Sequence, residues 1–133
     1  MDTISHKITE IAEGLFSIED LQKFINQFTE LCTNENEIKA HILQISRDEG
    51  CELEIGFLTE TNIVDITLSK GKVYSCEYPV CEIQKTEIIV SESKTTLQIQ
   101  GRKKFDYNVL KPESIVLLME YKSNIDQLLK SNF

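Results

Sequence analysis

The sequence predicts an α+β domain in which amino-terminal helices precede an antiparallel meander of six or seven short strands, closed by a carboxy-terminal amphipathic helix. Three observations predict it. Apolar residues recur at spacings of three and four between Ile4 and Cys32, the period changes to two after Gly50, and a helical stripe returns after Lys111-Pro112-Glu113. With 133 residues, 41% of them hydrophobic and 27% charged, the chain has the profile of one soluble domain able to bury its own core.

Ile4, Ile8, Ile11 and Leu15 share one helical face and predict a first helix, loosened near Gly14. Ser17 followed by Asp20 has the spacing of a capping box, in which the hydroxyl accepts from a free backbone N–H and the carboxylate reaches back. A second helix is expected to start there. Its stripe is Ile18, Leu21, Phe24, Ile25, Phe28, Leu31 and Cys32, and the polar run Thr33-Asn34-Glu35-Asn36 ends it. Residues 38–46 fit two descriptions. Ile38, Ile42 and Ile45 suit a short third helix capped by Asn34 or Asn36, whereas His41, Leu43 and Ile45 suit a strand turning back across Arg47-Asp48-Glu49-Gly50.

Beyond Gly50 the alternation is plain. Cys51, Leu53, Ile55 and Phe57 share one face, with Glu52 and Glu54 on the other, which reads as the solvated side; Val64, Ile66 and Leu68 repeat the pattern after a turn near Thr61-Asn62. Lys70-Gly71-Lys72 is a tight connection to a strand carrying Val73, Tyr74, Cys76 and Tyr78, interrupted at Pro79, which cannot donate to a ladder. Further strands are expected through Cys81 and Ile83, Ile88 and Val90, Leu97 and Ile99, then Phe105, Tyr107 and Val109. Proline in a first-turn position opens the last helix, whose stripe is Ile115, Leu118, Met119, Ile125, Leu128 and Leu129. This divides the chain into a helical segment, 1–48, and a sheet with its closing helix, 49–133.

Fourteen Lys and Arg against 22 Asp and Glu give a formal net charge of −8, which repels phosphate backbones and anionic lipid and weighs against nucleic acid and membranes as partners. The charge is uneven: residues 1–50 carry ten acids and four bases, residues 91–133 five and seven. No apolar run approaches the roughly 18 residues of a membrane span and no secretory signal pattern opens the chain, so a soluble cytoplasmic protein is expected.

In residues 51–131, the run from Phe57-Leu58-Thr59 through Thr61-Asn62-Ile63-Val64-Asp65-Ile66 is similar to the second strand of bacterial pleckstrin-homology-like (PH-like) domains. Tyr78-Pro79-Val80-Cys81-Glu82-Ile83 is similar to the segment where their chain bends into the next strand. Thr96-Leu97-Gln98-Ile99 and Lys104-Phe105-Asp106-Tyr107 resemble the later strand pair that feeds their closing helix. The resemblance implies a bent sheet plugged by that helix. The first 50 residues have no counterpart in the minimal fold, and Glu60-Thr61-Asn62 lacks the basic residues that lipid-binding members place at this turn.

No catalytic motif, cofactor cradle or metal site is expected. Cys76 and Cys81 flank a bend, with Cys32, Cys51, His6 and His41 elsewhere, but zinc sites use tight repeated pairs and none is present. The five glycines are scattered, so no loop is built to hold phosphate. The basic turn Arg102, Lys103 and Lys104, flanked by Phe105 and Tyr107, is the one basic feature with aromatics; such turns also protect sheet edges. The helical stripe is wider than a two-helix hairpin buries alone, so it packs on the sheet, on a second copy as a homodimer, or on another protein. Phe24, Phe28, Leu31, Tyr74 and Tyr78 are the expected partner-binding residues. The expected function is a non-catalytic intracellular protein-binding module, an adaptor or regulatory subunit acting through the apolar helical face or a sheet edge. The alternative is a small acidic inhibitor or immunity protein that blocks a basic active site or nucleic-acid groove, using Glu10, Glu13, Glu19, Asp20, Glu30, Glu35 and Glu37. An enzyme would instead show a deep pocket with convergent polar groups and shifted ionisation.

Overall fold

A computed structural model describes residues 3–46, 50–109 and 115–132. Among these, α1 (Thr3–Ala12) and α2 (Ile18–Leu31) lead into β1 (Ala40–Ser46), β2 (Glu52–Leu58), β3 (Asn62–Ser69) and β4 (Lys72–Pro79). A short 3₁₀ turn, Val80–Glu82, then feeds β5 (Ile83–Val90), β6 (Thr95–Gly101), β7 (Lys104–Val109) and the closing helix α3 (Ile115–Asn132). The fold is α+β, with seven strands in two antiparallel sheets ordered β1-β2-β3-β4 and β5-β6-β7.

Ser17 caps α2 by accepting the Asp20 amide at 3.1 Å, while the Asp20 carboxylate is turned to Lys23 at 3.6 Å. Only the hydroxyl half of the expected box forms. The β3–β4 hairpin turns through Lys70 and Gly71 at φ 52° and 76°, the left-handed pair that a two-residue hairpin loop requires. Residues 40–46 are a strand, with Leu43 opposite Ile55 and Ile45 opposite Leu53. The helical alternative fails because Ile42 and Ile45 enter different cores, one on each face of the sheet. The sheet thus begins at Ala40, on the amino-terminal side of the expected division at 48/49. The expected turn residues Arg47, Asp48 and Glu49, and Lys111-Pro112-Glu113, lie outside the described residues.

The four-stranded sheet is the middle layer. Its outer face buries Leu53, Ile55, Phe57, Val64, Ile66 and Leu68 beneath Ile4, Ile8, Ala12, Phe24 and Phe28 of the helices. Phe28 meets Phe57 edge to face, with ring centroids 5.6 Å apart. Its inner face places Ile42, Leu58, Ile63 and Tyr78 against Leu97, Ile99 and Tyr107 of the second sheet and Leu118, Tyr121 and Ile125 of α3. Four stripe residues depart from expectation, among them Ile11, which is 39% exposed near the end of α1. Ile18 is 87% exposed because it opens α2 before the buried face begins, Leu15 lies beyond the end of α1, where Ala12 takes the buried position, and Met119 faces out while Tyr121 is buried.

Candidate functional site

The five expected partner-binding residues do not form one surface. Phe24 and Phe28 are fully buried between α2 and the sheet, with Leu31 packed half-buried beside them, so this face is covered by the chain itself. Tyr78 is buried on the opposite face of the sheet, whereas Tyr74 on the same strand is 56% exposed. The hydroxyl of Tyr78 accepts from the amides of Arg102 at 2.5 Å and Lys103 at 3.3 Å, and donates to the Glu82 carbonyl at 3.3 Å. It therefore holds the basic turn from within. Arg102 reaches Glu82 at 3.7 Å, Phe105 stacks edge to face on Tyr78, and Tyr107 is buried, so the aromatics beside the basic turn face inward rather than offering a platform for bases.

The four cysteines are free thiols, Cys81 exposed and the others half-buried. Among the described residues no group of three or more His, Cys, Asp and Glu side chains is arranged to hold a metal ion. Burial, with a smaller effect of Lys7, holds the half-buried His41 imidazole below its usual pKa, which disfavours its charged form.

Besides open concavities of about 630 Å³ near Cys81 and Leu128 and about 570 Å³ near His41 and Leu117, two concave features stand beside a strand edge or a buried carboxyl pair. The first is a groove of about 440 Å³ between β5 and α3, lined by Ile88, Met119, Lys122, Ser123, Asp126, Gln127 and Lys130. Among the described strands β5 pairs with β6 alone, so its other edge is unpaired. Thr86 and Ile88 share the face of β5 that looks toward α3, and Val90, 72% exposed, continues it by alternation. The Thr86 hydroxyl donates to Asp126 at 2.6 Å, and Lys122 donates to the other oxygen of the same carboxylate at 2.6 Å. Strand and helix are tied at that point while Met119, 56% exposed, leaves an apolar rim beside it.

The second is a small polar cleft, about 170 Å³, where the inner face of the middle sheet meets β7; Gln44, Ser46, Glu52, Glu54, Thr67, Asp106 and Asn108 line it. Glu54 is not on a solvated face, as alternation alone implied, because the second sheet and α3 cover that side. Burial raises its pKa, against hydrogen bonds from Gln44, at 2.7 Å, and Asp65. Asp65, diagonal to it on β3, is pushed up to about 8 by burial, then by the charge and hydrogen bonding of Glu54. One Asp65 oxygen, Oδ1, and the hydroxyls of Tyr107 and Tyr121 are sealed from solvent without a hydrogen bond of ordinary geometry. Burial drives the ionisation of both tyrosines far upward. The sequence signal for this arrangement was Gly56, an isolated glycine in a strand, which marks a close approach; its partner is the Tyr107 ring.

The fold and these two features define a class, a two-sheet antiparallel domain plugged by its last helix, with an open strand edge and a buried carboxyl pair. Compared with known protein families and with curated proteins, the chain matches none. No helix among the described residues is long and apolar enough to cross a membrane.

Proposed function

We propose that the protein is a non-catalytic, PH-like binding module of the cytoplasm that captures an extended segment of another protein along β5. The observation that carries this reading is the unpaired β5 edge beside the α3 groove. An added strand extends the ladder through main-chain hydrogen bonds, and its alternate side chains enter the groove between Ile88 and Met119. The four-plus-three strand arrangement closed by α3 supports the PH-like assignment. The polar cleft at Glu54 has shifted ionisation, but its 170 Å³ falls below the roughly 300–1,000 Å³ of small-molecule sites, so the shifted carboxyls do not open onto a site of that size. Free thiols with an exposed Cys81 suit a reducing compartment.

Selection of a displayed random-peptide library on the chain, followed by amide chemical-shift mapping with an enriched peptide, tests this function. Shifts are expected on Ile83–Val90 and along residues 119–130. Met119→Asp is expected to weaken binding about tenfold or more, as a central contact does, while its exposed position leaves stability within about 0.5 kcal/mol. Failure of any peptide to enrich, or shifts centred on another face, overturns the proposal. Binding that weakens steeply with salt and maps to the acids of the helical layer supports the acidic inhibitor instead.

A further inference from the structure

We propose that Glu54 and Asp65 share one proton and act as a pH-sensitive latch, holding β7 and α3 on the middle sheet while protonated and loosening them when both carboxyls ionise. The proposal stands first on geometry. The two carboxyls lie on one face of adjacent strands, since Gly56 pairs with Asp65 and Glu54 with Thr67. Tyr107 of β7 packs directly on Gly56 beside them, and Tyr121 of α3 packs edge to face on Tyr107, with ring centroids 5.5 Å apart. The latch therefore sits where the second layer touches the first.

The surroundings offer a second charge nothing to pair with. From β1 the facing group is the neutral amide of Gln44, from β2 the carboxylate of Glu52, from β3 the hydroxyl of Thr67, and from β4 the free thiol of Cys76, opposite Asp65. From β7 come Asp106, Asn108 and Tyr107, and from α3 comes Tyr121. Among the described residues none of these is a cation. Two carboxylates in one low-dielectric site repel each other and lose hydration, so one proton is retained, as in other buried dyads. Burial and Glu54 push Asp65 up to about 8, so the retained proton leaves near neutral to mildly alkaline pH. Opening lets water reach both groups and restores an ordinary carboxyl affinity of about 4. Between those limits the open form holds one proton fewer, and the opening equilibrium rises up to about tenfold per pH unit, levelling above about 8. Tyr121 shares its helix with Met119 and Lys122, so the latch also bears on the β5 groove; that consequence rests on the peptide-binding reading, whereas the test uses the unliganded chain.

Amide hydrogen exchange of β7 and α3, corrected for the intrinsic chemical rate, is followed from pH 5.5 to 8.5 in the parent chain and in Asp65→Asn. A parent slope approaching tenfold per unit, absent from the variant, is expected. A flat parent profile, or an equal slope in the variant, overturns the latch. Should Asp65→Asn fail to fold, ¹³C carboxyl titration of the parent decides: Glu54 and Asp65 signals moving together, with a step well above the ordinary carboxyl range, support it, and independent titrations below pH 5 overturn it.

Discussion

The ring of Tyr107 occupies the space that a side chain at position 56 would need: a Cβ built on Gly56 falls 2.6 Å from both Cε1 and the hydroxyl oxygen of Tyr107. The aromatic is fully buried, so it has no free direction in which to retreat. Gly56→Ala is therefore expected to destabilise the fold by about 1–3 kcal/mol, the range for overpacking a dense core. Tyr107→Phe removes a buried hydroxyl whose one polar neighbour, the Tyr121 hydroxyl, lies outside ordinary hydrogen-bond geometry, and is expected to change stability by no more than about 1 kcal/mol. Urea denaturation of the two variants checks both expectations. A Gly56→Ala variant as stable as the parent contradicts the close approach.

Tyr78 gives the opposite case, a buried hydroxyl that is fully used. It gathers two amides of the β6–β7 turn and the Glu82 carbonyl. Tyr78→Phe keeps the ring on Phe105 but leaves those backbone groups without their partner, at a cost of about 1–3 kcal/mol. The loss is expected to be local first, seen as faster hydrogen exchange at Arg102 and Lys103 than at amides of β2 and β3. Uniform loss across the molecule contradicts the turn-holding role.

Phe28 tests whether the helical layer belongs to the core. It is 1% exposed against Phe57, so Phe28→Ala is expected to lose about 3–5 kcal/mol and Phe28→Asp to unfold the chain. Circular dichroism and thermal melting distinguish this from a surface role, in which Phe28→Asp stays folded and changes only the oligomeric state seen by light scattering.

Much of this architecture was legible because local periodicity reports which residues share a face. Leu53, Ile55 and Phe57 alternate as a strand does, and Phe24 and Phe28 fall one helical turn apart; both patterns form as expected. Periodicity does not report what covers a face. Alternation assigns Glu54 to solvent because it shares a face with Glu52 opposite Leu53 and Ile55, yet that face is covered by Tyr107 and Tyr121, far along the chain. The same limit left residues 38–46 ambiguous, since a strand buried on both sides has apolar residues of both parities, Ile42 inward and Ile45 outward, and so imitates a helical stripe. A free sheet edge was expected, but which strands end the two sheets, β1 and β4 in one and β5 and β7 in the other, follows from strand order, which no single segment encodes.

Global stability should carry the signature of the carboxyl pair. A carboxyl whose folded-state pKa is raised binds its proton more tightly in the folded chain than in the unfolded one. Its contribution is fully present below the unfolded value near 4 and is lost as pH rises through the folded value. For Asp65, raised to about 8, the loss runs from about pH 4 to about pH 8, the reverse of a salt-bridged aspartate, whose stabilisation is lost on acidification. Glu54→Gln keeps the shape and the contact with Gln44 while removing the charge that opposes Asp65 ionisation. The Asp65 pKa is then expected to fall, and each unit of that fall returns about 1.4 kcal/mol at pH 8. Chemical denaturation at pH 5 and pH 8 measures both quantities. The parent is expected to be less stable at pH 8 than other carboxyls alone would make it, and Glu54→Gln to recover stability at pH 8 more than at pH 5. Equal effects of Glu54→Gln at the two values mean that Glu54 does not govern the Asp65 proton, and that the burial of Asp65 alone sets its titration.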